Sequence, residues 1–184
     1  MKKEDWRTLS SRRLRLTTLT VPLLAALIES DRAAISRHSA LDFQAPWADS
    51  VDVLKLRKAD LLADPDYRPW SLRAISRIDD NVVIGHIGFH TRPDPPYLRE
   101  TVPGGVELGY TIFTPYRGNG YAREACVAMM QWAKVFAGVK RFVLSISPDN
   151  APSLAIAGKL GFRKIGEQMD EVDGLEFVFE ATVD

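Results

Sequence analysis

Hydrophobic positions along this chain change repeatedly between the alternating spacing of strands and the three-and-four spacing of amphipathic helices. In the first part of the chain they predict a strand over residues 13–19, followed by helices over residues 20–30 and 50–63. The pattern over residues 36–47 does not decide between a helix and a strand. The first part of the chain is therefore predicted to contain one strand and two helices.

The middle of the chain is dominated by predicted strands. Alternating apolar positions predict a hairpin with strands over residues 70–78 and 82–91, joined by a polar turn at residues 79–81. Residues 92–105 hold four prolines and two glycines and are predicted to form a loop. A third strand over residues 106–113 follows the loop, so this region contributes three consecutive strands.

The C-terminal part predicts a crossover between two strands. Residues 120–136 place their apolar side chains at helical spacing and are predicted to bury one helix face, which includes Cys126. The remaining predicted elements are a strand over residues 140–147, a short helix over residues 150–160, and strands over residues 162–169 and 175–182 joined by a turn at Asp173 and Gly174. The element order predicts an α+β fold with a mixed, mostly antiparallel sheet of about seven strands flanked by helices.

Composition limits the possible functions. The 184 residues are 46% hydrophobic, which is enough for one domain with a sizeable core. Lys plus Arg and Asp plus Glu both number 24, so no excess of basic charge favours a nucleic acid or an anionic membrane. The single cysteine cannot form an internal disulfide. The chain has no predicted membrane span or signal peptide, and we expect a cytoplasmic protein.

The most informative segment joins the predicted strand over residues 106–113 to the predicted helix over residues 120–136. It contains Gly118 and Gly120, which allow the backbone to approach a ligand closely. A helix start also leaves free N–H groups at the positive end of the helix dipole. The segment indicates an anion site for a phosphate or pyrophosphate, to which Arg117 adds a charge. The alternative is a glycine turn that only begins a helix.

Three blocks of sequence resemble one family. Residues 117–122, RGNGYA, match the acyl-CoA signature R/Q-x-x-G-x-G/A of the GNAT N-acetyltransferases. The sequence VELGY at residues 106–110 and the blocks NAPS and KLGF within residues 150–162 resemble the same family. The branch that the chain resembles includes the ribosomal-protein serine and alanine N-terminal acetyltransferases.

The resemblance implies a single domain of α/β sandwich type over residues 1–184, with its acyl-CoA-binding core at about residues 106–162. It implies transfer of an acetyl group from acetyl-CoA to a primary amine by direct attack, without a metal. The implied contacts to acetyl-CoA are the backbone N–H groups of Ile112, Phe113 and Thr114, the pyrophosphate cradle of Arg117, Gly118, Asn119, Gly120, Tyr121 and Ala122, and the side chain of Asn150. Pro115 and Pro148 are expected to help the two flanking strands separate into a slot for pantetheine.

Glu107 is the candidate general base. A thioester is attacked by a neutral amine, and a peptide α-amine has a pKa of about 8 against about 10.4 for lysine. Glu107 lies on the strand beside the predicted slot and matches an acidic position of the family, and a backbone N–H near Phe113 is expected to stabilise the oxyanion. The alternative for Glu107 is an exposed strand glutamate or a salt-bridge partner.

The sequence offers more than one candidate for the group that assists the leaving thiolate. Many GNAT enzymes use a tyrosine seven residues after the asparagine, and here Ala157 stands at that position. Ser153 matches the ribosomal branch and can donate a hydrogen bond, although a serine near a helix start can equally be structural. Tyr110 and Tyr116 are less favoured substitutes.

Two histidines and one loop are further candidates for the substrate pocket. His86 and His90 share one face of a predicted strand but are too far apart to share a metal, and sheet packing is favoured for both over a role in an amine pocket. The substrate rim has as its candidates Trp47, Trp70, Tyr97 and the loop over residues 94–105.

The amine acceptor is open at this stage. A protein N-terminus is favoured by the resemblance, and an aminoglycoside, a polyamine or another small amine is the alternative. A non-catalytic acyl-CoA-binding sensor, or a structural protein that retains only the fold, are further alternatives. No nucleic acid or membrane partner is expected, and the protein is expected to be a monomer or homodimer.

Overall fold

The computed structural model describes residues 6–44, 47–170 and 174–183. Its strands are β1 (Thr8–Ser10), β2 (Leu14–Thr18), β3 (Arg73–Arg77), β4 (Val83–Phe89), β5 (Val106–Ile112), β6 (Arg141–Ile146), β7 (Arg163–Asp170) and β8 (Gly174–Thr182). Its α-helices are α1 (Val21–Ile28), α2 (Arg32–His38), α3 (Val51–Ala63), α4 (Tyr121–Ala137) and α5 (Ala151–Lys159).

The described strands form one mixed sheet in the order β1-β2-β3-β4-β5-β6-β8-β7. Neighbouring strands are antiparallel except β5 and β6, which are parallel and are connected through α4. The predicted α+β fold is therefore confirmed, with eight strands rather than about seven. The additional strand is β1, whose three residues are too few to show an alternating pattern. The predicted turn residue Asp173 lies outside the described residues.

Helix α2 was not resolved by the hydrophobic pattern because it has no buried residue. It begins at a polar cap, where the Asp31 side chain accepts a hydrogen bond from the Ala34 N–H at 2.9 Å. An amphipathic stripe is therefore absent, and local capping marks this helix instead.

Helices cover both faces of the sheet. On β4, the Phe89 ring stacks on Trp132 of α4 with their centroids 6.3 Å apart. On the opposite face of the same strand, His86 contacts Trp47 and Ser50, which directly precede α3. Side chains of a strand alternate between faces, so α4 lies on one side of the sheet and α3 on the other. None of the described helices is long and apolar enough to span a membrane.

The parallel strands β5 and β6 separate along their length. In the described structure they pair at Val106 with Phe142 and at Glu107 with Val143. Further along, β5 remains paired with β4 and β6 remains paired with β8, but not with each other. We call the opening beyond Glu107 the β5–β6 slot. It begins before Pro115 and Pro148 are reached, and the contribution of these prolines to the separation stays a prediction.

Candidate active site

Glu107 is a buried carboxylate with several donors around it. Its side chain is 6% exposed, accepts hydrogen bonds from the Tyr97 hydroxyl at 2.9 Å and the Ser145 hydroxyl at 2.6 Å, and lies 3.5 Å from His90 Nδ1. Burial acts to raise the pKa of Glu107, but His90, Ser145 and Tyr97 outweigh it and hold the pKa below its usual value. Glu107 is therefore ionised at neutral pH, and the alternative of an exposed strand glutamate is wrong.

The side chains that surround Glu107 were largely missed by sequence analysis. Tyr97 was predicted at the substrate rim, and Ser145 was not a candidate residue. Trp47 and Trp70, also predicted at the rim, are instead buried in the core. Gln168 of β7 donates to the Ser145 hydroxyl at 3.2 Å and to Glu176 at 3.0 Å. These residues come from a loop and two strands far apart in the chain, so only the folded sheet brings them together.

A cleft of about 580 Å³ opens beside His90, between the end of α3 and the loop after β4. We call it the α3 cleft, and its lining includes Asp60, Asp64, Tyr67, His90, Arg92, Asp94 and Arg99. In the part of the chain that the structure describes, each carboxylate of this lining is paired with an arginine. The pairs are Arg57 with Asp60 at 2.8 Å, Arg92 with Asp64 at 3.2 Å, and Arg99 with Asp94 at 3.0 Å. The α3 cleft therefore has little uncompensated negative charge.

His86 on β4 and His90 directly after β4 have different environments. His86 is buried, its Nε2 lies 2.9 Å from the Ser50 hydroxyl, and its ring stacks on Trp47 with centroids 5.5 Å apart. Burial lowers the pKa of His86 to about 4, so the ring is neutral at physiological pH. The packing role predicted for His86 is confirmed. His90, whose side chain is 41% exposed, lines the α3 cleft instead.

The neutral, buried state of His86 makes protein stability depend on pH. Because its folded pKa of about 4 lies below the ordinary value of 6.5, the unfolded chain binds the proton preferentially. The free energy of unfolding should therefore fall by about 3 kcal/mol as the pH drops from 6.5 to 4. Urea unfolding across this window should show a smaller drop for His86→Gln than for the wild type. His38→Gln, which alters an exposed histidine, is the control, and identical profiles for His86→Gln and the wild type would contradict the assignment.

The glycine loop before α4 has the geometry of an anion site. Gly118 and Gly120 have φ values of 80° and 76°, a left-handed conformation that glycine adopts without strain. Gly120 is the N-cap of α4, and no described side chain caps this end, which leaves its N–H groups for a ligand. The Asn119 side chain donates to the carbonyls of Tyr116 and Arg117, both at 3.1 Å, and so closes the loop.

The charged side chains beside the glycine loop, Glu124 and Arg13, pair with each other. Glu124, in the first turn of α4, bonds the Arg13 guanidinium at 2.7 Å and the Ser11 hydroxyl at 2.8 Å. The Arg13 guanidinium also lies over the Tyr121 ring, 4.6 Å from its centroid. The only acid in the first helical turn is thus neutralised on the side of the β1–β2 hairpin. An anion at the loop meets the positive end of the helix without a facing negative charge.

The backbone donors at the end of β5 differ from the expected ones. The Phe113 N–H donates to the Ile84 carbonyl at 2.9 Å, so this amide is not free for pantetheine or an oxyanion. Hydrogen bonds alternate in direction along an antiparallel strand, and the amides of Tyr110 and Ile112 therefore point away from β4 and into the β5–β6 slot. Ile112 stays a predicted donor, and Phe113 is corrected to Tyr110. Arg117 Nε donates to the Ile112 carbonyl at 2.8 Å, which ties the loop to the strand end.

Asn150, Ser153 and Tyr110 lie together on the α4 side of the slot. Asn150 Oδ1 accepts the Ser153 N–H at 3.2 Å and caps α5, so the asparagine has a structural role beside any contact to a ligand. The Tyr110 hydroxyl is buried and has no hydrogen-bond partner among the described residues. Burial raises the pKa of Tyr110 to about 12, and the nearby Ser153 opposes the shift. Two hydroxyl groups therefore flank the slot opposite Glu107.

Two parallel strands that separate beside a glycine loop and a buried glutamate are features of a GNAT acyltransferase. This chain belongs to that family. The acetyltransferase (GNAT) domain matches residues 13–163. The protein is accordingly an N-acetyltransferase that uses acetyl-CoA as its acyl donor.

Individual relatives agree with this assignment. The chain is 27% identical over 156 residues to the uncharacterized N-acetyltransferase YjdG of Bacillus subtilis, which covers 84% of this chain and 88% of YjdG. The fold resembles the ribosomal-protein-S5-alanine acetyltransferase of Vibrio fischeri, with a TM-score of 0.66 and 14% identity over 96% of this chain and 97% of that one. It also resembles an acetyltransferase of Agrobacterium tumefaciens, with a TM-score of 0.62 and 21% identity over 96% and 94% of the two chains. At these identities the solved structures support the fold.

Proposed function

We propose that this enzyme acetylates the α-amine of a protein N-terminus by direct attack of the neutral amine on acetyl-CoA. The observation that carries the proposal is the position of Glu107, an ionised and hydrogen-bonded carboxylate at the point where β5 and β6 part. The amine nitrogen bonds to the thioester carbonyl carbon, the C–S bond breaks, and CoA leaves as the thiolate. The proton lost by the amine is drawn toward Glu107.

Different groups of this chain hold the two substrates. The amides of Tyr110 and Ile112 donate to pantetheine and to the developing oxyanion, in the slot where no β6 partner reaches them. The pyrophosphate rests on the glycine loop, formed by Arg117, Gly118, Asn119, Gly120, Tyr121 and Ala122, and the adjoining Thr114 lies at the strand end. Asn150 contacts the pantetheine arm, and Ser153 donates a hydrogen bond to the leaving thiolate.

The charge of the α3 cleft favours an N-terminus over a polycation. A polyamine or aminoglycoside carries several positive charges and needs uncompensated carboxylates, whereas the cleft carboxylates are paired with arginines. A peptide α-amine with a pKa of about 8 is about a tenth neutral at pH 7. The single carboxylate of Glu107 therefore suffices to help deprotonate it. The name of the Vibrio fischeri relative, which describes acetylation of an alanine of ribosomal protein S5, points to the same acceptor class.

An acceptor panel tests the proposal. We expect acetylation of short peptides with a free N-terminal serine or alanine at a kcat/KM about a hundredfold above that for a polyamine or an aminoglycoside. Mass spectrometry of the products should place the acetyl group on the α-amine. The control is the same peptide with a blocked N-terminus and a free lysine. A preference for the polyamine would move the acceptor to small molecules, and binding of acetyl-CoA without turnover across the panel would favour a sensor.

A further inference from the structure

We propose that His90 is a catalytic residue of this enzyme: its imidazole takes the proton from the attacking amine, and Glu107 orients the ring and balances its charge. This inference rests on the proposed acetylation of an amine and assigns its proton transfer to a specific pair. Sequence analysis favoured a packing role for His90, and the structure instead places its ring between the α3 cleft and the β5–β6 slot.

The His90 ring lies along β5 and spans the distance from Glu107 toward the slot. Nδ1 is 3.5 Å from Glu107 Oε2. A Cβ built on Gly109 would lie 2.5 Å from Nε2, so this nitrogen sits directly over the Gly109 backbone. Gly109 lies two residues beyond Glu107, in the stretch of β5 that has left β6. The free nitrogen of the ring is therefore at the mouth of the slot, where the thioester is expected.

The backbone around this ring is held firmly. The His90 N–H donates to the Glu107 carbonyl at 2.9 Å, and Arg57 Nη1 donates to the His90 carbonyl at 2.9 Å. The absence of a side chain at Gly109 leaves room for the ring at this close distance. The local structure thus fixes the backbone of His90 and gives its side chain one specific place.

Glu107 itself is poorly placed to meet the amine. Its Oε1 accepts from Ser145, its Oε2 accepts from Tyr97, and the side chain is 6% exposed against 41% for His90. An amine that enters from the α3 cleft therefore reaches the imidazole before the carboxylate.

The proton balance of the step is simple. The proposed step begins with the ring's proton on Nδ1, the nitrogen that faces Glu107 Oε2 at 3.5 Å, and with Nε2 free to accept. As the amine nitrogen bonds to the thioester carbon, Nε2 takes one proton from that nitrogen and the ring becomes an imidazolium beside the Glu107 carboxylate. The C–S bond then breaks and CoA leaves as the thiolate. The imidazolium returns its proton to water in the cleft.

The other charged and titratable groups near the ring offset one another. The groups that face it from α3 and the surrounding loops are Tyr67, Tyr97 and the three arginine–carboxylate pairs of the α3 cleft. Burial raises the pKa of Tyr67 to about 12, and burial together with the Glu107 charge raises the pKa of Tyr97 as well. Both phenols therefore stay neutral, and Glu107 is the negative charge that acts on His90.

The rate of acetyl transfer against pH tests this assignment. Rates are expressed per neutral amine, using the independently titrated pKa of the acceptor peptide, so that only ionisation of the enzyme shapes the profile. The wild type should show a limb that rises with pH as the enzyme's proton acceptor loses its own proton. His90→Gln should lose this limb and about a hundredfold in kcat, with the acetyl-CoA Kd within about twofold of the wild type.

Two further variants separate a catalytic role from a structural one. Gly109→Ala displaces the ring without removing it and should show the same loss of the rising limb as His90→Gln. Glu107→Gln removes the charge partner and should change the profile relative to the wild type. His38→Gln is the matched control on α2 and should leave the profile unchanged.

The outcomes distinguish this inference from the proposed function. An active wild type whose kcat and rising limb persist in His90→Gln would overturn the role of His90 and leave the proposed function intact. A wild type that acetylates no amine would overturn both. NMR of the His90 ring gives an independent reading: its ring-nitrogen chemical shifts should change in Glu107→Gln, and unchanged shifts would contradict the pairing.

Discussion

Replacing Glu107 with glutamine is expected to lower turnover about a hundredfold at pH 7 and only about tenfold at pH 9. At pH 9 an α-amine with a pKa of about 8 is mostly neutral, so proton removal before attack limits the rate less. Glutamine keeps the size of the side chain but removes the negative charge that Ser145, Tyr97 and His90 surround. Affinity for acetyl-CoA should stay the same, because the glycine loop and the slot amides are separate from this side chain.

Steady-state rates at the two pH values, together with calorimetric titration of acetyl-CoA, test this prediction. Glu167→Gln on β7 is the control, since that glutamate is exposed and pairs with Lys164 away from the slot. Thermal unfolding of Glu107→Gln checks that a buried substitution has not unfolded the protein. An equal loss of turnover at both pH values would contradict a role for Glu107 in removing the ammonium proton before attack.

The fold was predictable where hydrophobic spacing is long and regular. Helix α4 and strands β3 to β6 follow spacings that persist over several turns or pleats, and each was predicted within a few residues. Strand β1 and helix α2 were missed because one is very short and the other buries nothing. Local patterns therefore identify elements that face the core and pass over those that do not.

The site was predictable only in part, because several of its contacts depend on how neighbouring strands align in the sheet. Glu107 and the glycine loop lie within short local motifs, so a resemblance finds them. The direction of the Phe113 amide depends instead on how β5 aligns with β4, and in the folded sheet that amide bonds Ile84. Ser145, Gln168 and Tyr97 likewise reach Glu107 only because β6, β7 and a proline-rich loop meet at one place.

The alternation of side chains along β5 also decides on which face of the sheet each site residue lies. Successive residues of β5 face opposite sides, so Glu107 and Gly109 lie on the α3 side with His90, whereas Tyr110 lies on the α4 side near Ser153. The proposed removal of the amine proton and the proposed support of the leaving sulfur are thus assigned to opposite faces of the sheet. The parting of β5 and β6 is the opening through which the two substrates can meet.

Placing an aspartate at Gly120 is expected to raise the acetyl-CoA Kd about a hundredfold, which corresponds to about 2.7 kcal/mol. The added carboxylate would stand at the positive end of α4, where the pyrophosphate is expected, and would repel it. Aspartate is among the non-glycine residues that visit left-handed backbone, so the helix should still form. Calorimetric titration of the folded variant with acetyl-CoA measures the effect. A titration with NAD, an unrelated pyrophosphate ligand, is the control for specificity.

Gly138 provides the matched control for this substitution. It ends the same helix with a φ of 70°, close to the 76° of Gly120, and a Cβ there meets no neighbouring atom within 4 Å. Gly138→Ala and Gly120→Ala should therefore cost similar stability, while only the change at Gly120 weakens acetyl-CoA binding. Gly138→Asp should leave the Kd within about twofold of the wild type, because the far end of α4 is about 25 Å away at 1.5 Å per residue. A folded Gly120→Asp that binds acetyl-CoA as the wild type does would move the pyrophosphate away from this loop.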